Sequence, residues 1–180
     1  DVAWRATAAG GRQGTDENSN QRFVLQLEGA AAGWDYNTAA TWNRTKLTSK
    51  LTGGYSNDSL IAAGVSDGIL NPFGPQTAAG LAYLQDAAFG GVLQTGKGTV
   101  YGLDGRASRE IGDWLGAGRQ AAVALGAEYR QERYVNDINA EVASQAASTG
   151  VDPEADVTGE RKVGAVYAEL NVPLHSTLDA

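Results

Sequence analysis

Seven charged side chains sit at alternating positions in three stretches of this 180-residue chain: Asp104, Arg106 and Glu110; Glu128, Arg130 and Glu132; and Glu169. Carboxylates gathered in this way can do one of two things. They can work as a general acid and base, or they can pair with guanidinium groups in a charge ladder. Acid–base catalysis needs a base placed against a nucleophile and a site that stabilises developing charge. Nothing in the spacing singles out a nucleophile, a base or an oxyanion hole, so the group reads as a ladder across neighbouring strands and the protein as no enzyme. Opposite charges on paired strands contribute about 0.2–1 kcal/mol per pair.

Metal chemistry has little to work with. The chain has no cysteine and a single histidine, His175, which excludes thiolate and histidine-rich sites. The acidic run Asp152, Glu154, Asp156 and Glu160 lacks the dense Asp/Asn/Gly spacing of a calcium loop and reads as a solvated loop, so neither metal nor cofactor is expected. A formal charge of −7 argues against nucleic acid, because binding phosphates requires a basic surface.

The ladder needs strands to carry it, and alternation supplies them. In RQAAVALGAEYRQERYV, Ala121, Val123, Leu125, Ala127 and Tyr129 fall on one side and Glu128, Arg130 and Glu132 on the other. Successive side chains of a strand point to opposite faces, so this segment separates an apolar environment from a wet one. The same design recurs with Phe23, Leu25 and Leu27; with Trp34, Tyr36, Ala40 and Trp42; with Tyr101 and Leu103 opposite Asp104 and Arg106; and with Val166, Ala168 and Leu170 opposite Glu169. VAWRATA, with Val2, Trp4 and Ala6 opposing Arg5 and Thr7, reads as the end of a further strand, and the chain as an excised piece of a longer protein. About six long strands are expected.

Short links at 29–33, 112–118 and 174–177 alternate with long polar ones at about 10–20, 48–96 and 136–159. Strict alternation of tight turns and long loops is the layout of an antiparallel up-and-down meander in a membrane barrel wall. No stretch approaches the roughly 18 apolar residues of a membrane helix, but barrel strands cross with about 9–11 residues that are apolar only at alternate positions. On this reading Phe23, Leu25, Leu27, Leu103, Val123, Leu125, Val166 and Leu170 face lipid, and the charged ladder faces a hydrated interior. Trp34 and Trp114 fit one aromatic girdle, with Trp42, Tyr129 and Tyr134 nearer the other.

The strings ALGAEYRQERY and ERKVGAVYAELNVPL, joined by a long acidic loop, resemble paired barrel strands of TonB-dependent outer-membrane receptors. GWDYNTAATWNRTK and SDGILNPFG support that likeness. The resemblance implies a segment of a barrel of about 22 strands, in the outer membrane of a Gram-negative cell. It also implies partners: the bilayer, the receptor's own plug domain, the TonB complex through an N-terminal region not contained here, and a scarce bulky nutrient such as a siderophore-iron chelate, a cobalamin or an oligosaccharide. The segment would be wall and loops, unable to close a barrel or transport by itself. A passive porin or autotransporter barrel, and a soluble β-sandwich or adhesin whose apolar face is an internal core, are the alternatives.

Within the longest loop, Thr77 as an N-cap and the run of apolar positions over 77–90 predict a short helix, and SNDSLIAAGVSDG a second one capped by Ser56 or Asn57. Asn71-Pro72-Phe73-Gly74-Pro75 is a turn by composition. Phe73, Tyr83 and Phe89 are the aromatic candidates for ligand contact. Packing of the loop on its neighbours is the stronger expectation for them.

Overall fold

The computed structural model describes residue 4, residues 6–175 and residues 178–179. Five strands follow one another in a single antiparallel sheet of order β1-β2-β3-β4-β5 that does not close on itself: β1 Gln13–Ala31, β2 Trp34–Ser56, β3 Ala88–Gly112, β4 Ala121–Ile138 and β5 Val157–Asn171. Helix α1 (Asp58–Ser66) and helix α2 (Ala78–Asp86) lie between β2 and β3, and α3 (Ala140–Ala143) follows β4. The short strands β6 (Pro173–His175) and β7 (Leu178–Asp179) pair with each other. The fold is therefore all-β with a meander sheet, as alternation predicts.

Of the expected strand at the amino terminus, the described residues Trp4, Ala6 and Thr7 are not in strand, and Thr7–Ala9 form a single 3-10 turn. Val2 and Arg5 of that expected strand, and Ser176 and Thr177 of the last expected turn, lie outside the described residues. The sheet accordingly has five long strands, and these strands run further than alternation shows. Most of the expected 10–20 loop belongs to β1; the 48–96 loop shrinks to 57–87 because β2 continues to Ser56 and β3 starts at Ala88. The cause is polarity on both faces. Asp16 accepts a hydrogen bond from the Ser49 hydroxyl, and Lys50 Nζ lies 2.7 Å from Glu17 Oε1, so these ends pair through polar side chains and show no apolar alternation.

The chain divides into two compact units. The first holds residues 1–19, 45–97 and 135–158. Its core is Leu51, Leu93, Val142 and Ala143, packed with Tyr55, Phe89, Ile138 and Val151. The two long loops fold onto each other there: the Asp58 amide donates to the Gln145 carbonyl at 2.9 Å, and Asp58 Oδ2 accepts from the Ala147 amide at 2.7 Å. Both expected helices form. Asn57 Oδ1 accepts from Ser59 and Leu60 amides at 3.0 and 3.1 Å, and Thr77 Oγ1 accepts from the Gly80 amide at 3.1 Å, so each uses the short polar cap its sequence supplies.

The second unit holds residues 20–44, 98–134 and 159–180. Its strands are joined by two tight links. β1 and β2 meet at Ala32-Gly33, with φ of 51° and 79°, the left-handed pair of a type I′ turn whose twist suits a hairpin. Between β3 and β4, Asp113 accepts the amides of Ala117 and Gly118 at 2.9 and 2.8 Å and closes the link on itself. Two glycines are required by close approach. A β-carbon at Gly29 would come within 2.6 Å of the Tyr36 hydroxyl oxygen, and one at Gly126 would come within 2.2 Å of the Tyr167 ring; each tyrosine lies across the gap its glycine leaves.

Ala32 is exposed and carries a β-carbon in a conformation that costs an L-residue about 1–2 kcal/mol. Ala32→Asn creates the Asn-Gly pair preferred in this turn and is expected to stabilise the protein by about 0.5–1 kcal/mol in denaturant unfolding.

Candidate functional site

Alternation gives each strand of the second unit two faces, and contacts between strands join those faces into two surfaces. The Phe23 and Trp42 rings are 5.5 Å apart, and a β-carbon on Gly105 would lie 3.5 Å from Thr38 Oγ1, which links the apolar positions of β1, β2 and β3. Gly126 beneath Tyr167, and Glu132 hydrogen-bonded to Arg161, link the polar positions of β4 and β5. The apolar surface then carries Phe23, Leu25, Leu27, Trp42, Tyr101, Leu103, Val123, Leu125, Tyr129, Val166 and Leu170. From Phe23 to Ala31 and from Trp34 to Trp42 it includes no charge, nor does it from Thr99 to Ala107, from Ala121 to Gln131 or from Gly164 to Leu170.

No described residue covers that surface. Phe23, Leu25, Leu27, Leu103, Leu125, Val166 and Leu170 are between 46% and 84% exposed, while Val123 is half-buried. Of the buried apolar residues among those described, Ala121 alone belongs to this unit; the others lie in the first unit. Isolated exposed apolar residues are ordinary, but a contiguous apolar surface of this extent marks an interface with protein or lipid.

The opposite surface is polar and hollowed. One hollow of about 610 Å³ is lined by Glu28, Asp35, Arg106, Tyr167 and Glu169. A second, of about 290 Å³, gathers Arg22, Asn43, Asp104, Glu128 and Arg130. Six of the seven ladder residues are thus placed on one face by these hollows and by the ion pairs of Glu132, and Glu110 follows by alternation from Arg106. Contact among them is narrower than the sequence suggests. Glu132 pairs with Arg130 at 2.8 Å and with Arg161, and Gln131 Nε2 donates to Glu160 at 2.8 Å on the other side of the strand. Asp104 takes part through its backbone, whose carbonyl accepts the Thr38 hydroxyl at 2.7 Å. Charge spacing missed Arg22, Glu28 and Asp35, which line the hollows, Arg161, whose role depends on the register between β4 and β5, and Asn43, whose buried Oδ1 has no protein partner. No group of three or more His, Cys, Asp or Glu among the described residues could hold a metal.

In the first unit the aromatic candidates separate. Tyr83 donates its hydroxyl to the Leu60 carbonyl at 2.9 Å, and the Phe89 ring packs 6.1 Å from that of Tyr55; both hold the loops together. Phe73 is 82% exposed at the tip of a turn closed by Asn71 and Gln76, where Gln76 Oε1 accepts the Asn71 amide at 3.0 Å and Asn71 Oδ1 accepts the Phe73 amide at 3.0 Å. A further hollow of about 730 Å³ is lined by Trp4, Arg12, Ser56, Asp58 and Ser148, none of which stood out in the sequence as contact residues. Arg12 Nη1 is fixed there on the Ser148 carbonyl at 3.2 Å. No helix among the described residues is long and apolar enough to cross a membrane, which leaves crossing by strands untouched.

No family model matches the chain, and no curated protein matches it.

The separation of the aromatics is directly measurable. Tyr83→Phe removes one hydrogen bond and is expected to cost about 0.5–1.5 kcal/mol in denaturant unfolding, whereas Phe73→Ala is expected to stay within about 0.5 kcal/mol of wild type.

Proposed function

We propose that the chain is part of the wall and loops of an outer-membrane β-barrel, most specifically of a TonB-dependent receptor that takes up a scarce bulky nutrient. The observation that carries the reading is the charge-free apolar surface of the second unit, backed by a polar surface with hollows of about 610 and 290 Å³. Strands of 15 to 25 residues also exceed the usual 3–10 of globular sheets. The apolar alternates meet lipid, and the polar alternates Asp104, Arg106, Glu128, Arg130, Glu132 and Glu169 face a hydrated lumen and whatever fills it.

The aromatic side chains fit the same reading. Phe23, Trp42 and Tyr101 stand at one end of the apolar surface and Trp34 and Tyr36 at the other, where amphipathic rings favour the boundary between hydrocarbon and water. From Trp34 to Trp42 the strand rises about 27 Å at roughly 3.4 Å per residue, which at a tilt of about 35–45° spans about 19–22 Å, most of the apolar band of about 25 Å in such barrels. Both β1 and β5 are edge strands of the sheet, and a barrel of the same protein supplies their partners. The loops would sample the nutrient through displayed groups such as Phe73. The step from barrel wall to energy-coupled receptor rests on the strings ALGAEYRQERY and ERKVGAVYAELNVPL, and a plug domain in the parent protein is what separates a receptor from a passive porin.

Two measurements test the wall. In full-length protein reconstituted in bilayers, nitroxides placed at 123, 125, 127 and 129 are expected to be accessible to oxygen and shielded from a nickel chelate; protection from both would make this surface a protein core and the molecule a sandwich or adhesin. Leu125→Arg is expected to cost about 2–4 kcal/mol in membrane refolding, and a neutral result would reverse the orientation of β4.

A further inference from the structure

The apolar surface of the second unit ends in cations on its loop-side margin. Two residues beyond Trp42 on the same face of β2 stands Arg44, four beyond Tyr129 on β4 stands Arg133, and two before Gly164 on β5 stands Lys162. Arg44 and Arg133 are exposed and have no ion-pair partner among the described residues. Lys162 reaches Glu160 at 3.8 Å, a loose contact with both side chains open to solvent. At the opposing margin Arg109 lies over the Ala32-Gly33 turn, and Arg119 stands two residues before Ala121. Three cations against one carboxylate at a single rim is a local excess of positive charge in a chain whose formal charge is −7.

The strand order spaces these groups. Thr41 of β2 meets Gly102 of β3, so Thr99 falls beside Arg44, and Thr99 and Arg133 line one hollow. Arg44 and Arg133 therefore stand two strands apart with Thr99 between them, about 10 Å at the 4.7–4.9 Å strand spacing. A hydroxyl between two guanidinium groups, next to an apolar surface, fits an anionic phosphate whose acyl chains continue down that surface. Guanidinium groups hold phosphate with paired donors, and cations at a membrane boundary attract anionic headgroups.

We infer that Arg44, Arg133 and Lys162 form a rim that selects phosphate-bearing anionic lipid headgroups at the loop-side boundary of the wall. The inference rests on the membrane-wall reading above. It makes the protein's annular lipid chemically specific on one leaflet, with Thr99 at the centre of the contact. Glu160 tempers the rim, since it takes part of the Lys162 charge and accepts a hydrogen bond from Gln131.

The test uses the full-length protein in vesicles of phosphatidylcholine and phosphatidylglycerol in equal amounts, with the photocrosslinking residue p-benzoylphenylalanine replacing Thr99 or, separately, Leu103; crosslinked lipids are identified by mass spectrometry. The Thr99 probe is expected to capture phosphatidylglycerol in several-fold excess. That excess should fall by about fivefold for each cation removed in Arg44→Gln and Arg133→Gln, shrink in high salt, and grow in Glu160→Gln. The Leu103 probe should capture both lipids through their chains without preference. Equal capture at Thr99, or no lipid there while Leu103 crosslinks lipid, overturns the rim and leaves the wall standing. Absence of lipid at both positions overturns the membrane-wall reading itself.

Discussion

An apolar surface that no described residue buries is the constraint around which the second unit is built. Burying a side chain such as Leu or Phe is worth about 1.5–3 kcal/mol, and seven of the large apolar residues here, from Phe23 to Leu170, remain 46% to 84% exposed. A sheet cannot leave that much unrealised in water without a partner. Everything else in the unit is compatible with one apolar environment on that side: no charge enters the band, aromatic rings stand at its ends, and charged groups are confined to its margins or to the opposite face. The polar face then has a different task, keeping its charges hydrated or paired, as in the Glu132 pairings with Arg130 and Arg161.

The two units are stabilised by different physics. The first buries Leu51, Leu93, Val142 and Ala143 and ties its loops through Asn57, Asp58, Thr77 and Tyr83, so its order comes from its own core and caps. The second has close-fitting glycine–tyrosine pairs, a type I′ turn and an Asp113-closed link, but almost no buried apolar side chain. Its strands are specified locally by turns and pairing, and their stability as a unit depends on what meets the apolar face and the edges of β1 and β5. A chain of this composition has a low mean hydropathy for the same reason: only alternate residues on a minority of its length have to be oily.

Legibility followed the environment of each residue. Strands with one apolar and one polar face, as at 121–132, announce themselves because the period of two is imposed by two different surroundings. Where both faces meet polar partners, as at Asp16, Glu17, Ser49 and Lys50, the period disappears and strand looks like loop. VAWRATA shows the reverse error, since its alternation is short and its described residues Trp4, Ala6, Thr7 and Ala8 are not in strand. Among the aromatic candidates, composition gave Phe73, Tyr83 and Phe89 equal standing; only packing divides the exposed Phe73 from Tyr83 and Phe89, which hold the loops.

Sequence by itself determined the alternation in the middle of the five long strands, the first two tight links, the Thr77 cap of the second helix and the absence of charge from the band, because each depends on residues close together along the chain. Tertiary structure alone decided the register between strands, and with it the pairing of Glu132 with Arg161, the glycines that must yield to Tyr36 and Tyr167, the gathering of Asn43 with Arg22 and Glu128, and the placing of Thr99 between Arg44 and Arg133. A shift of one residue in register would preserve every local pattern and exchange all of those partners, and no local preference along a single strand can choose between the two.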